Sequence, residues 1–158
     1  MNRKLIVVTS ICVMVIAGIA LPAAAGEESG GGTVTYGPAN VENTQLPDGS
    51  LMQRSHIKGI VLCDDTSNFM HLVAQDCFGT TLVSPSGEAT GNGYCDAVDG
   101  DGDRYWIWWH NGPKGNKWGF MGGTGKFDGV KGGGTTTPLA QMADGRTAIT
   151  WEGTWSSK

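Results

Sequence analysis

Long hydrophobic runs are scarce in this sequence of 158 residues, and the one that is present lies near the N-terminus. Residues 5–20 are apolar and uncharged, follow the basic pair Arg3 and Lys4, and precede the small residues 23–25. This order is typical of a secretory signal peptide, residues 1–25. The run is short for a membrane span, which needs about 20 residues. We therefore expect a secreted or periplasmic protein without stable membrane insertion, with a retained membrane anchor as the alternative.

Charge is also sparse, since Asp, Glu, Lys and Arg make up 16% of the residues. Removal of Arg3 and Lys4 with the signal peptide changes the net charge from −4 to −6. An acidic protein is a poor electrostatic partner for nucleic acid, so we expect none to bind. Cleavage leaves about 130 residues, a length that suits a single domain.

Helical periodicity is absent after the N-terminal run, whereas glycine is abundant, with 26 residues. Because glycine disfavours helices, the composition favours strands and turns. Residues 26–48 lack a sustained apolar pattern and predict a flexible linker, with a short strand at Val34 and Tyr36 as the alternative. Residues 49–158 alternate strand-like segments with turns rich in Gly, Asp, Asn and Pro, which is typical of a barrel or sandwich. The predicted strands are 57–62, 69–83, 89–97, 104–110, 117–121, a segment around 127–136, and 146–155.

The segment 104–110 is the most aromatic of these strands, and both of its faces are largely apolar. Alternation separates two sets of side chains, Tyr105, Ile107 and Trp109 on one face and Trp106, Trp108 and His110 on the other. Either this is a central strand covered on both sides, or one aromatic face lines a ligand cavity. In the last strand, alternation places Glu152 among threonines, on a face that a barrel could turn inward. We predict ligand contacts at Trp106, Trp108, His110 and Glu152.

Cysteine is scarce as well, with Cys63, Cys77 and Cys95 remaining after cleavage, at spacings that do not indicate a zinc site. An odd number allows at most one internal bridge. A hairpin folded about residues 86–87 places Cys77 nearly opposite Cys95, whereas the preceding hairpin places Cys63 away from Cys77. We therefore predict a Cys77–Cys95 disulfide, which an oxidising compartment would preserve, and a buried thiol at Cys63.

Complete catalytic and metal motifs are lacking. Asp99, Asp101 and Asp103 alternate as in the start of an EF-hand loop, but Arg104 and His110 occupy the positions that require Gly and Glu. The cluster is either an incomplete calcium site or a hairpin loop whose Asp and Gly residues suit a turn. Apart from calcium we expect no cofactor. The sequence contains no Gly-x-Ser-x-Gly motif and its glycine-rich stretch precedes no helix, so we assign no catalytic residue and no nucleotide site.

The glycine-rich stretch carries a family resemblance. Residues 122–129, Gly-Gly-Thr-Gly-Lys-Phe-Asp-Gly, and a second glycine cluster from Gly132 resemble the pattern of plant allene oxide cyclases and dirigent proteins. The wider arrangement, from Cys77 to Trp155, resembles small exported bacterial proteins of that barrel type. The resemblance implies an all-β, eight-stranded antiparallel β-barrel with a central cavity, often assembled as a trimer. It transfers no catalytic residue to a position in this chain.

Three functions remain open at this point, since a fold does not fix an activity. A module that binds a small apolar or aromatic ligand ranks first, because six tryptophans are many for this length. An envelope structural or interaction protein without a small-molecule site ranks second. An enzyme of the cyclase or dirigent kind ranks third, and its first candidate residues are Glu152 and His110.

Overall fold

The computed structural model describes residues 26–157, so the predicted signal peptide lies outside the described residues. They form nine β-strands and one short 3-10 helix, Gly125–Phe127. The strands are β1 (Glu28–Tyr36), β2 (Asn40–Gln45), β3 (Leu51–Cys63), β4 (Ala74–Val83), β5 (Ala89–Val98), β6 (Arg104–Asn111), β7 (Asn116–Gly123), β8 (Lys131–Gln141) and β9 (Thr147–Ser156). Within residues 26–157, no helix has the length and apolarity needed to cross a membrane.

The strands form one antiparallel sheet that closes on itself. Neighbours follow the order β1-β9-β8-β7-β6-β5-β4-β3, and residues 59–63 of β3 pair back with residues 32–36 of β1. Eight strands thus make a closed barrel. β2 pairs with residues 51–56 of β3 and extends the sheet beyond the point of closure. The predicted all-β, eight-stranded antiparallel barrel is confirmed.

Residues 26–48, expected to be a flexible linker, instead contain β1 and β2. β1 lies between β9 and β3, and Val34 is only 5% exposed in the core. A Cβ atom at Gly32 would overlap the carbonyl oxygen of Leu62, so glycine lets this strand approach β3 closely. The linker prediction is wrong because it counted apolar side chains, whereas β1 is held largely by backbone pairing on both edges. The barrel therefore begins at Glu28.

Each predicted strand from residue 57 onward corresponds to an observed one, with shifted ends. β4 starts at Ala74, because the preceding residues form a turn in which Asn68 Oδ1 accepts the N–H of Met70 at 2.9 Å and Leu72 adopts a φ of 61°. β3 starts six residues before the predicted strand. Residues 51–56 pair with both β2 and β4, but most of their side chains are polar, so the sequence pattern did not indicate a strand there.

Aromatic packing closes one end of the barrel, where β7 ends and β4 begins. Val73 and Phe127 are fully buried there. Seven rings form a closed circle in which neighbouring centroids are 4.9–6.4 Å apart. In order around the circle they are Phe69, Phe127, Tyr105, Phe120, Trp118, Trp151 and Trp155. Tilted and edge-on ring pairs of this kind are favourable, so this end forms a solid floor.

Candidate functional site

The interior of the barrel holds a cavity of about 300 Å³ to which all eight barrel strands contribute. Its deeper wall is aliphatic and aromatic and includes Val34, Ile107, Trp109, Trp118, Ile149 and Trp151. Toward the end opposite the aromatic floor, the wall becomes polar and includes Ser55, Thr81, Asn111, Asn116, Thr136 and Thr147. A concave apolar site with a few polar groups is the usual form of a small-molecule site.

The wall of this cavity carries no formal charge. Its lining residues, all within the described part of the chain, include no Asp, Glu, His, Lys or Arg. Besides the two bridged cysteines, the ionisable groups there are the phenols of Tyr36 and Tyr105. Burial raises the pKa of Tyr36 to about 12 and also raises the pKa of Tyr105. Both phenols are therefore neutral near pH 7 and can donate hydrogen bonds.

Three polar side chains meet in the wall and form a hydrogen-bonded chain. The Tyr36 hydroxyl donates to Gln75 Oε1 at 3.2 Å, and Gln75 Nε2 donates to the Tyr105 hydroxyl at 3.2 Å. The register places Gly59 between Tyr36 and Gln75, and Ala97 between Gln75 and Tyr105. Because the intervening residues are small, the three long side chains can reach one another inside the barrel.

The free energy of unfolding should depend on this tyrosine chain at alkaline pH. Because the folded pKa of Tyr36 is raised from the ordinary value of 10.0, its contribution to stability is complete below about pH 10 and declines as the pH rises towards 12. We expect the unfolding free energy of the wild type to fall over that interval. Tyr36→Phe should make the fall shallower, measured by denaturant unfolding at each pH. The exposed outer residue Tyr94, changed to Phe, is the matched control, and equal slopes for all three proteins would contradict the assignment.

Trp109 forms a flat part of the cavity wall because its cross-strand neighbours are glycines. The register aligns Gly79 on β4, Gly93 on β5 and Trp109 on β6. A Cβ atom at either glycine would overlap the Trp109 indole. The indole therefore lies across the backbone of two strands and offers an aromatic face for ligand packing.

The four residues predicted to contact a ligand in the cavity point away from it. Trp106 and Trp108 are 38% and 39% exposed on the outer face of β6, and His110 is exposed on the same face. Glu152 is exposed on the outer face of β9 and accepts a hydrogen bond from Thr135 Oγ1 at 3.1 Å. The prediction chose the wrong face because alternation separates two faces without saying which one turns inward. The opposite face of β6, with Tyr105, Ile107 and Trp109, lines the cavity.

The alternating aspartates stabilise the β5–β6 turn. Asp99 Oδ1 accepts the N–H groups of Asp101 and Asp103, both at 2.9 Å, and Asp99 Oδ2 lies 2.6 Å from Lys126 Nζ. Chiefly because of the bond to Lys126, the pKa of Asp99 is lowered. Within residues 26–157, no three His, Cys, Asp or Glu side chains are grouped to hold a metal ion. The carboxylates thus have the role expected of a hairpin loop, which was one of the two interpretations.

The cysteines are placed as predicted. Cys77 and Cys95 are directly opposite each other on β4 and β5 and form a disulfide that lies in the cavity wall. This bond is compatible with an oxidising compartment. Cys63 is a buried free thiol, and burial, assisted by Asp64 and Asp65, raises its pKa to about 11.

The sequence reasoning missed two features of the cavity wall, the Tyr36–Gln75–Tyr105 chain and the flat Trp109 indole. Gln75 lies next to Asp76 and has the local pattern of a surface residue, so no nearby signal marks it as buried. Trp109 did have a signal, since glycines occur at Gly79 and Gly93, but these matter only once the strand register is known.

Comparison with known proteins supports the fold and goes no further. No protein-family model matches the sequence, and no curated protein matches it. Among solved structures, the chain is similar to the pterocarpan synthase dirigent protein GePTS1, with a TM-score of 0.52 and 14% sequence identity. The similarity covers 85% of this chain and 88% of that chain. This protein therefore has a dirigent-like β-barrel fold.

Proposed function

We propose that this protein binds a small, predominantly apolar or aromatic ligand inside its barrel. The observation that carries the proposal is the uncharged cavity of about 300 Å³. Its deep wall is apolar, and its mouth, at the end opposite the aromatic floor, is polar. This volume is at the lower end of the range of small-molecule sites. The predicted ranking of functions, with binding first, thus keeps its order, although the residues that support it are different ones.

The wall suits a flat ligand. The Trp109 indole presents a face, and Trp118 and Trp151 are packed edge to face at 5.9 Å between centroids. A ligand that buries about 200 Å² of apolar surface would gain about 5 kcal/mol from burial, before the entropic cost of association. The polar mouth would keep the entrance hydrated while the deep wall holds the ligand.

Blocking the mouth tests this proposal. Thr81 lies on the inner face of β4 at the mouth, opposite Gly91, which leaves room for a larger ring. Neutral bicyclic aromatic compounds should bind the wild type saturably, and Thr81→Phe should weaken that binding about tenfold or more, which corresponds to about 1.4 kcal/mol. Ligand-observed NMR titration measures both affinities.

The matched control for this experiment is the next residue, Leu82, which is 44% exposed on the outer face. Leu82→Phe adds a ring of similar size to the same strand and should leave affinity unchanged. The proposal fails if no compound of this size binds the wild type saturably, or if the Phe variants at positions 81 and 82 bind equally well.

An interaction role for the outer surface is the second candidate. Exposed aromatic side chains cluster on the outer face of β4, β5 and β6, and an apolar surface patch is typical of contact sites. They are Phe78, Tyr94, Trp106 and Trp108, each 38–52% exposed. The family resemblance makes further copies of this chain the favoured partner, and this candidate requires a solution mass above that of a monomer.

An enzyme of the cyclase or dirigent kind stays third. Its two candidate residues, Glu152 and His110, lie on the outer face. The lining residues of the cavity offer two phenols for proton transfer but no carboxylate, imidazole or amine. Catalysis there would have to rely mainly on the conformation that the cavity imposes on a reactive substrate.

A further inference from the structure

We propose that the ligand of this cavity is a neutral aromatic carbonyl compound whose oxygen accepts a hydrogen bond from the Tyr105 hydroxyl. The inference rests on the proposed binding function and adds the chemical class of the ligand. It distinguishes neutral carbonyl compounds from hydrocarbons and from carboxylates of the same size.

The direction of the tyrosine chain identifies the donor. Tyr36 donates to Gln75, and Gln75 donates to the Tyr105 oxygen. The Tyr105 hydroxyl therefore accepts at its oxygen, and none of the hydrogen bonds among residues 26–157 uses its own hydrogen. Successive hydrogen bonds polarise one another in the same direction, which strengthens the donor at the end of the chain. That end is the Tyr105 hydroxyl in the cavity wall.

Two indole N–H groups of the wall are not available to a ligand. Trp151 Nε1 has no hydrogen-bond partner among residues 26–157, but the atom itself is buried against its neighbours and is not open to the cavity. Trp118 donates its Nε1–H to the carbonyl oxygen of Glu152 at 3.3 Å. The Tyr105 hydroxyl is therefore the donor on which the assignment depends.

The absence of positive charge in the described wall decides between neutral and anionic ligands. A carboxylate would be offered a hydroxyl donor but no Lys, Arg or His among the lining residues. A buried charge without a counter-ion is costly, and a neutral hydroxyl donor does not fully compensate for its lost hydration. A carbonyl oxygen accepts from the same donor at a much smaller desolvation cost. The cavity should therefore prefer the ketone over the acid.

Three compounds with one bicyclic skeleton test the inference: indane, indanone and indane carboxylate. On the wild type we expect indanone to bind about tenfold more tightly than indane, and the carboxylate to bind more weakly than either. Tyr105→Phe keeps the ring in the aromatic floor and removes the hydroxyl. It should reduce the preference for indanone over indane to less than about threefold. Isothermal titration calorimetry measures these constants.

Tyr94→Phe is the matched control, because it removes a phenol hydroxyl from the outer face, where Tyr94 is 51% exposed, and leaves the tyrosine chain intact. It should retain the preference for indanone. The preference of the wild type for indanone over indane needs no variant, so this readout holds even if a substitution in the floor impairs folding.

The outcomes separate the two proposals. Equal affinities of the wild type for indane and indanone overturn the carbonyl assignment and leave the binding function standing. Tighter binding of the carboxylate than of the ketone also overturns it. If neither neutral compound binds the wild type, while other neutral bicyclic compounds do, the carbonyl assignment alone fails. If none binds, the proposed function fails as well.

Discussion

Phe127→Ala should lower the free energy of unfolding by about 3–5 kcal/mol, the usual cost of removing a fully buried phenyl ring. Phe127 is 0% exposed, and its ring centroid lies 5.2 Å from that of Phe69 and 4.9 Å from that of Tyr105. Alanine would leave a void in the aromatic floor. The 3-10 helix is held to β6 through Thr124 N–H to Arg104 O at 2.7 Å, so it cannot easily move inward to fill that void.

The control for this substitution is another phenylalanine. Phe78 is 52% exposed on the outer face, where it packs against Tyr94 at 6.4 Å between centroids. Phe78→Ala should cost less than about 1 kcal/mol, since most of its ring is already in water. Urea unfolding curves of the wild type and both variants provide the comparison. Similar losses for Phe127→Ala and Phe78→Ala would show that the floor is not the tightly packed region described here.

Removing the disulfide is expected to have the second large effect. A double variant, Cys77→Ala with Cys95→Ala, should lose about 2–4 kcal/mol, because a loop of this size constrains the unfolded chain by about 3 kcal/mol on the entropic model. The two cysteines are 18 residues apart in sequence, and both side chains are less than 5% exposed. The double substitution avoids leaving one unpaired thiol in the wall. Thermal unfolding followed by circular dichroism measures the loss.

Reduction gives an independent check of the disulfide. Dithiothreitol should destabilise the wild type by an amount similar to the double substitution and should leave the double variant unchanged. Cys63→Ala is the matched control for loss of a buried cysteine without loss of a bridge, and its unfolding should remain sensitive to reduction. Insensitivity of the wild type to the reductant would mean that this bridge does not contribute to stability.

The disulfide was predictable because it depends on local geometry. One turn joins β4 to β5, with Ser84 accepting the N–H of Gly87 at 2.9 Å, and the register of such a hairpin follows from its turn. Counting outward from that turn brings Cys77 and Cys95 opposite each other. The pattern of strands and turns was local in the same sense. It predicted an all-β barrel or sandwich, and the family resemblance implied the eight-stranded barrel.

The inward face of β6 was not predictable in this way. Alternation separates Trp106 and Trp108 from Tyr105 and Trp109, but both sets are apolar enough to be buried. The choice is made by neighbouring strands, since Gly79 and Gly93 leave space for Trp109 on the inner side. The role of β1 was hidden for a related reason, because its partners β3 and β9 lie far along the chain.

The sequence by itself determined the strand pattern from residue 57 onward and the disulfide pairing, because these depend on alternation, turn chemistry and residues close in the chain. The barrel was implied by the family resemblance of the glycine-rich stretch. Only the tertiary structure decided where the cavity lies and what its polar groups are. The bonds of Gln75 to Tyr36 and Tyr105 join residues 39 and 30 positions apart. Such contacts exist only once the sheet has closed, since closure fixes the register of distant strands and thereby selects which face of each strand turns inward.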